Sequence, residues 1–226
     1  EVAALLASGR GQAEIAAADV DEALQRRVVR YDKGGDRHHD VISAFIKSVR
    51  GSDPDAAAYW LETMLAAGED PEFIARRLVV LASEDIGLAD PSALGVAVAA
   101  AHALQFVGLP EAAYALHEAA LYLATAPKSN SVKRTMDAAR EAVEGTPGAD
   151  VPAHLRGTGY RGAASLGHGV GYRYPHDAPG AIVAQQYLPD AARGRILYRP
   201  GREGAEAERA ERLAAWDRHV GRGPRE

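Results

Sequence analysis

Three Asp-Pro pairs constrain this chain more than any other feature: Asp53-Pro54, Asp70-Pro71 and Asp90-Pro91, each separated from the next by about one helix and a turn. An Asp at a helix entrance accepts a hydrogen bond from a backbone N–H that the helix leaves unpaired. A following Pro has no N–H to satisfy and already holds a helical φ. Each pair therefore predicts a helix start. Gly51, Gly68, Gly87 and Gly108 each follow an apolar-periodic stretch and predict stops, because glycine enters the left-handed terminal turn without a Cβ clash. Together these signals predict six helices, at about 39–50, 54–67, 71–86, 91–107, 110–126 and 130–144. Their connections are short enough that neighbours should pack antiparallel. The fold class expected is all-α, with a helical bundle over 36–145.

The faces support this reading. Ile42, Phe45, Ile46 and Val49 form one stripe, and Trp60, Leu61, Met64 and Leu65 form the next. The 71–86 segment is apolar on nearly every side except at Arg76, Arg77 and Ser83-Glu84-Asp85, which predicts the central helix of the bundle.

The flanks read differently. Residues 2–29 hold two short Ala-rich helical patterns broken at Gly9-Arg10-Gly11, and Tyr31 to Asp36 interrupts the periodicity as a linker does. The chain opens at Glu1 inside a helical pattern, which reads as a segment of a longer protein. After Gly145 the composition shifts: residues 146–205 hold 11 of the 23 glycines, 6 of the 12 prolines and 5 of the 9 tyrosines. That composition predicts a loop-rich extension, ordered by its tyrosines and by Ile182, Val183, Tyr187 and Leu188. A closing helix is expected over 203–219 through Ala207, Leu213 and Trp216, with a frayed end after it.

The chain lacks cysteine, so disulfide and thiolate metal chemistry are excluded, as in a reducing compartment such as the cytoplasm. No apolar run approaches the roughly 20 residues of a membrane-spanning helix. The net charge of −5 argues against a protein that coats nucleic acid through bulk electrostatics. No Gly-Lys pair occurs, which removes the phosphate-binding P-loop, and Gly167-His168-Gly169-Val170-Gly171 reads as a turn-forming loop. The eight histidines make no spacing that places two imidazoles on one helical face. His38 and His39, being adjacent, diverge on a helix and read as structural. Glu84-Asp85, at a helix C-terminus, reads as an acidic pair tolerated there for a tertiary contact with a neighbouring Arg. A hydrolase built on His154, His168 and His176 lacks a nucleophile-base spacing. What remains is basic. Lys33, Arg37, His38, Lys47 and Arg50 gather around the linker and first helix, and Lys128, Lys133 and Arg134 around the start of the sixth. Of these, Lys47, Arg50, Lys128, Lys133 and Arg134 are the candidate DNA contacts, through phosphate and without sequence preference; a solvated face is the competing reading.

Several blocks resemble a known family. They run from Tyr31-Asp32-Lys33 and Ile42-Ser43-Ala44-Phe45-Ile46-Lys47-Ser48-Val49-Arg50-Gly51-Ser52-Asp53-Pro54 through Ala82-Ser83-Glu84-Asp85-Ile86-Gly87 and Ala126-Pro127-Lys128-Ser129-Asn130. Val151-Pro152-Ala153-His154-Leu155-Arg156, Tyr174-Pro175-His176 and Gln186-Tyr187-Leu188-Pro189 continue them. In order and over nearly the whole chain, these resemble the C-terminal half of the RarA/MgsA family of AAA+ ATPases, with its Werner-helicase-interacting relatives. The resemblance implies a clamp-loader-like helical architecture: residues 1–31 as the end of the ATPase lid, 36–145 as an oligomerisation bundle, and 146–226 as an extension packing on it. It implies a homotetramer that reaches DNA through the full-length protein, acts at stalled forks in the nucleoid, and meets single-stranded-DNA-binding protein and other replisome proteins. It places the Walker motifs, and with them ATP and Mg, upstream of Glu1, so no catalytic or cofactor residue falls on this chain.

Overall fold

The computed structural model describes residues 14–17 and 36–225. The expected lid helices and the Tyr31-to-Asp36 linker lie almost wholly outside the described residues. Among those described, seven α-helices and no strand are present: α1 Asp36–Arg50, α2 Pro54–Ala66, α3 Pro71–Leu81, α4 Ala93–Val107, α5 Ala113–Thr125, α6 Ser131–Glu144 and α7 Ala205–Val220. The all-α expectation holds.

The first two Asp-Pro pairs do what their chemistry predicts. Asp53 accepts from the Ala56 N–H at 2.9 Å and Asp70 from the Glu72 N–H at 3.0 Å, with Pro at the first turn in each case. The third differs: Asp90 is extended, Pro91 and Ser92 form a turn, and α4 starts at Ala93 with no side-chain cap bond from Ser92. Three of the four predicted glycine stops have positive φ; at the end of α1 that role passes to Ser52, at φ 61°.

Contacts divide the chain into two units, each discontinuous in sequence. The first holds α1 to α5. Its interior is apolar, with Phe45, Val49, Leu61, Met64, Ile74, Leu78, Leu81, Leu116 and Leu123 almost completely buried. The central helix is α5, not the segment at 71–86. α5 packs on α1, α2, α3 and α4, and buries Leu116, Ala119, Ala120, Leu123 and Ala124. Its small residues let neighbours approach closely. By contrast α3 buries only one side, through Ile74, Ala75, Leu78 and Leu81, and leaves Val80 exposed. Nor does α3 run to residue 86: after Leu81 it widens into a π turn, Ala82–Ile86, and a 3₁₀ turn, Gly87–Ala89.

The second unit comprises 83–91 and 127–226. Here α6 groups with the glycine-rich segment and α7, an arrangement that helical punctuation does not foretell. The segment is ordered by short 3₁₀ turns, such as Ala153–Leu155, Pro175–Asp177 and Asp190–Ala192. Apolar burial is sparse, with Ile86, Ala89, Ala142, Ala163, Val183 and Ala192 its main contributors. Much of the interior is polar instead.

Candidate functional site

In the second unit, α7 buries not an apolar stripe but two carboxylates, Glu206 and Asp217. They stand eleven residues apart, close to three helical turns, and so share one face. Trp216, expected to anchor this helix, is exposed and borders a shallow hollow with Leu88, Tyr198 and Leu213. Glu206 is fully buried and accepts hydrogen bonds from the hydroxyls of Ser129 and, at 2.8 Å, Tyr198. Ser129 Oγ in turn accepts from the Ser131 N–H, in the first turn of α6, at 3.3 Å. Gly201 makes room: a Cβ there would stand 2.7 Å from the carboxylate and 2.9 Å from Ser129 Oγ. The Ser131 hydroxyl is buried nearby without hydrogen-bond geometry to any protein atom.

These contacts set the protonation states. Burial alone would raise the Glu206 pKa, but hydroxyls from Ser129 and Tyr198 and the N–H of Gly201 outweigh it and hold the carboxyl below its ordinary value. Tyr198 is pushed up to about 12, by burial first and then by its bond to the Glu206 carboxylate. At the other end of α7, Asp217 takes a two-pronged contact from Nε and Nη2 of Arg225, whose Nη1 donates to the Tyr198 carbonyl at 3.0 Å. The C-terminal segment expected to fray is pinned there by a bidentate ion pair. The arrangement ties α7 to the start of α6 and to the C-terminal segment through charge-assisted hydrogen bonds.

The five candidate DNA contacts divide between the two units. Lys47 and Arg50 are exposed in the last turn of α1, where cations also complement the helix dipole. Lys33 lies outside the described residues. In the second unit, Lys128 is half-buried, and its pKa is lowered by burial against the opposing pull of Asp85. Asp85 is itself buried, and its carbonyl accepts from the Ser129 N–H at 2.8 Å. Lys133 is held by Asp137 at 2.6 Å and has its pKa raised by that bond, while Arg134 reaches the Arg199 carbonyl at 3.4 Å. Lys128 and Lys133 act electrostatically on Asp85 and Glu84 respectively, lysines where the sequence suggested an arginine. His38 pairs with Glu69 at 2.8 Å, and His154, His168 and His176 face Gln186, Tyr160 and Tyr174 respectively. Among the described residues no group of His, Asp and Glu could hold a metal.

The surface that residue-by-residue reasoning missed lies on the first unit. From Pro91 to Pro110 no Asp, Glu, Lys or Arg occurs. α4 occupies most of that run. It buries Ala93, Ala97, Ala100 and Leu104, yet leaves Leu94, Val98, Phe106 and Val107 exposed, Phe106 at 93%. Leu109 follows, and Tyr114 on the first turn of α5 is 83% exposed. A surface helix normally carries charge on its outer side; an uncharged one with large apolar side chains outward marks a face that meets something. The signal was available as a charge-free run of twenty residues.

Two family descriptions match consecutive parts of the chain: "AAA C-terminal domain" over residues 1–50 and "MgsA AAA+ ATPase C terminal" over 51–217. The chain belongs to the MgsA AAA+ ATPase C-terminal family. The MgsA match opens in the turn between α1 and α2, so α1 falls to the preceding description although it packs on α2 and α5. Relatives of this chain include an uncharacterized AAA domain-containing protein of Mycobacterium tuberculosis, 53% identical over 94% of the chain and 47% of the relative. Replication-associated recombination protein A of Escherichia coli is 43% identical over 85% of the chain and 43% of its own length. ATPase WRNIP1 of Dictyostelium discoideum is 48% identical over 77% of the chain and 20% of its own length. The chain thus spans less than half of each of these relatives.

Proposed function

We propose that this chain is the non-catalytic oligomerisation module of an AAA+ ATPase that maintains replication forks and serves recombination and repair. The observation that carries self-association is the uncharged α4 with Leu94, Val98, Phe106 and Val107 outward. The process comes from relatives named as replication-associated recombination protein A and ATPase WRNIP1. In this reading residues 1–31 end the ATPase lid and a preceding module holds ATP and Mg. The assembly is a homotetramer at the nucleoid in the cytoplasm, with single-stranded-DNA-binding protein and other replisome proteins among its partners. Among the described residues no helix is long and apolar enough to cross a membrane.

Size-exclusion chromatography with light scattering tests this on the chain itself. The expected result is a species of about four times 23.9 kDa that falls to the single-chain mass in a Val98→Glu, Phe106→Ser variant of unchanged helicity. A strictly monomeric wild type at tens of micromolar would overturn it. The alternative, direct DNA binding by Lys47, Arg50, Lys128, Lys133 and Arg134, is supported by the exposure of Lys47, Arg50, Lys133 and Arg134, of which Lys133 also meets Asp137 and Arg134 a carbonyl.

A further inference from the structure

Charge is distributed unevenly along this chain. It carries −5 overall, yet between Val151 and Arg202 arginines outnumber carboxylates seven to two, and no lysine is among them. The same stretch holds most of the exposed tyrosines: Tyr172 is 45% exposed, Tyr174 54% and Tyr187 43%. Arginine and tyrosine alternating in a segment of glycine and proline is an uncommon way to build a solvated surface. Tyrosine rings left in water forgo the burial that would stabilise a fold.

The backbone that carries two of these rings, and the hydroxyl of the third, are held in place. The Gln185 side chain clasps the main chain between Tyr172 and Tyr174 from both sides: its Oε1 accepts from the Arg173 N–H at 3.2 Å and its Nε2 donates to the Arg173 carbonyl at 2.9 Å. The same Nε2 donates to the Tyr187 hydroxyl at 2.7 Å. One amide therefore ties the backbone between Tyr172 and Tyr174 to the hydroxyl of Tyr187. His176 lies against Tyr174 with ring centroids 5.1 Å apart, and the Arg173 guanidinium reaches back to the Ala184 carbonyl at 3.4 Å. Aromatic rings fixed before a ligand arrives lose little further entropy when it stacks on them.

Tyr187 also borders a cavity of about 550 Å³, lined by Arg193, Arg195, Tyr198, Arg222 and Arg225. Arg193 is paired with Asp190, and Arg222 and Arg225 with Asp217. Two carboxylates thus stand against four guanidiniums, and Arg195, exposed, has no carboxylate partner among the described residues. A positive cavity adjoining planar, half-exposed rings matches a ligand with anionic groups and flat faces in alternation. A nucleic acid strand with unpaired bases has that pattern; a duplex hides its base faces, and an acidic peptide has none.

We propose that the Tyr172, Tyr174 and Tyr187 platform, with Arg173 and the arginine-lined cavity beside it, binds single-stranded nucleic acid without sequence preference. Bases stack on the rings, and phosphates are drawn to Arg173 and Arg195. This surface is distinct from the five basic residues considered above and does not depend on self-association through α4.

Fluorescence anisotropy with the whole chain and labelled dT25, rU25 and a 25-base-pair duplex tests it. Either single strand should bind at about 50 mM salt, more tightly than the duplex, with affinity falling steeply toward 200 mM. Replacing Tyr172 and Tyr174 together by Ala should weaken binding at least tenfold, since each stacked base contributes roughly five- to a hundredfold, whereas Phe at both positions should stay within about twofold. Arg195→Ala, which breaks no ion pair among the described residues, should lower the salt slope by about one. Three results would each overturn the proposal: no single-strand binding at low salt, an alanine pair of unchanged fold that binds like the wild type, or equal competition by poly-glutamate. Loss of binding in Lys47→Glu, Arg50→Glu with the tyrosine variants unaffected would also overturn it, and would move the site to α1.

Discussion

Glu206→Gln isolates what charge contributes to the interior of the second unit. The amide keeps the shape of the carboxylate and can still meet the hydroxyls of Ser129 and Tyr198, so packing is conserved and only charge assistance is lost. A neutral hydrogen bond is worth about 1 kcal/mol net and one to a charged group about 2, a difference of about 1 kcal/mol per bond. Two hydroxyls give about 2 kcal/mol. With a urea slope near 2 kcal/mol per molar, the midpoint of the second unit should fall by about 1 M, followed through Trp216 fluorescence with Trp60 replaced by Phe. The pH dependence has a definite sign. Because the Glu206 pKa is held below its ordinary value of 4.5, its stabilisation is complete above that value and is lost as pH falls through the lower folded pKa. The gap between wild type and Gln variant should therefore be widest near neutrality and close in acid. A midpoint shift under about 0.2 M, or a gap of the same size at pH 7 and pH 3, would refute the reasoning.

Other outcomes follow from the same geometry. Tyr198, pushed up to about 12, should make the wild type lose stability as pH rises from about 10 toward 12, and Tyr198→Phe should flatten that limb in an alkaline unfolding series. Gly204→Ala would place a Cβ 2.2 Å from the Ala89 carbonyl at a φ of +55°, and should cost at least about 3 kcal/mol in chemical denaturation. Asp53→Ala removes the bond to the Ala56 N–H and should cost about 1 kcal/mol, read in the first unit through Trp60.

The local grammar of the first unit was legible. Asp53 and Asp70 cap because capping involves neighbours in sequence, and a side chain and an N–H two or three residues apart are visible without any fold. The central helix was not legible. α3 is rich in Val and Leu while α5 is rich in Ala, and hydropathy favours the former; yet small residues are what permit four helices to meet at one. The polar interior of the second unit escaped for a related reason. Glu206 reads as one more acidic residue in a charged helix, and its partner Ser129 lies 77 positions away, where no periodicity connects them. Trp216 misled because an aromatic on a polar helix suggests an anchor, whereas the anchoring is done by two ion-paired or hydrogen-bonded carboxylates. Of the candidate contacts, residue type alone could not show that Lys133, exposed like Lys47, is paired with Asp137 one turn along the same helix.

The Glu206 carboxylate arrives 77 residues after the hydroxyl it receives. During synthesis, then, Ser129 and Ser131 leave the ribosome long before anything can neutralise the polar pocket they form, and the second unit stays open until α7 has emerged. A product truncated ahead of residue 206 would carry an intact set of earlier helices beside a half-built interior that water can enter, a ready substrate for proteolytic clearance.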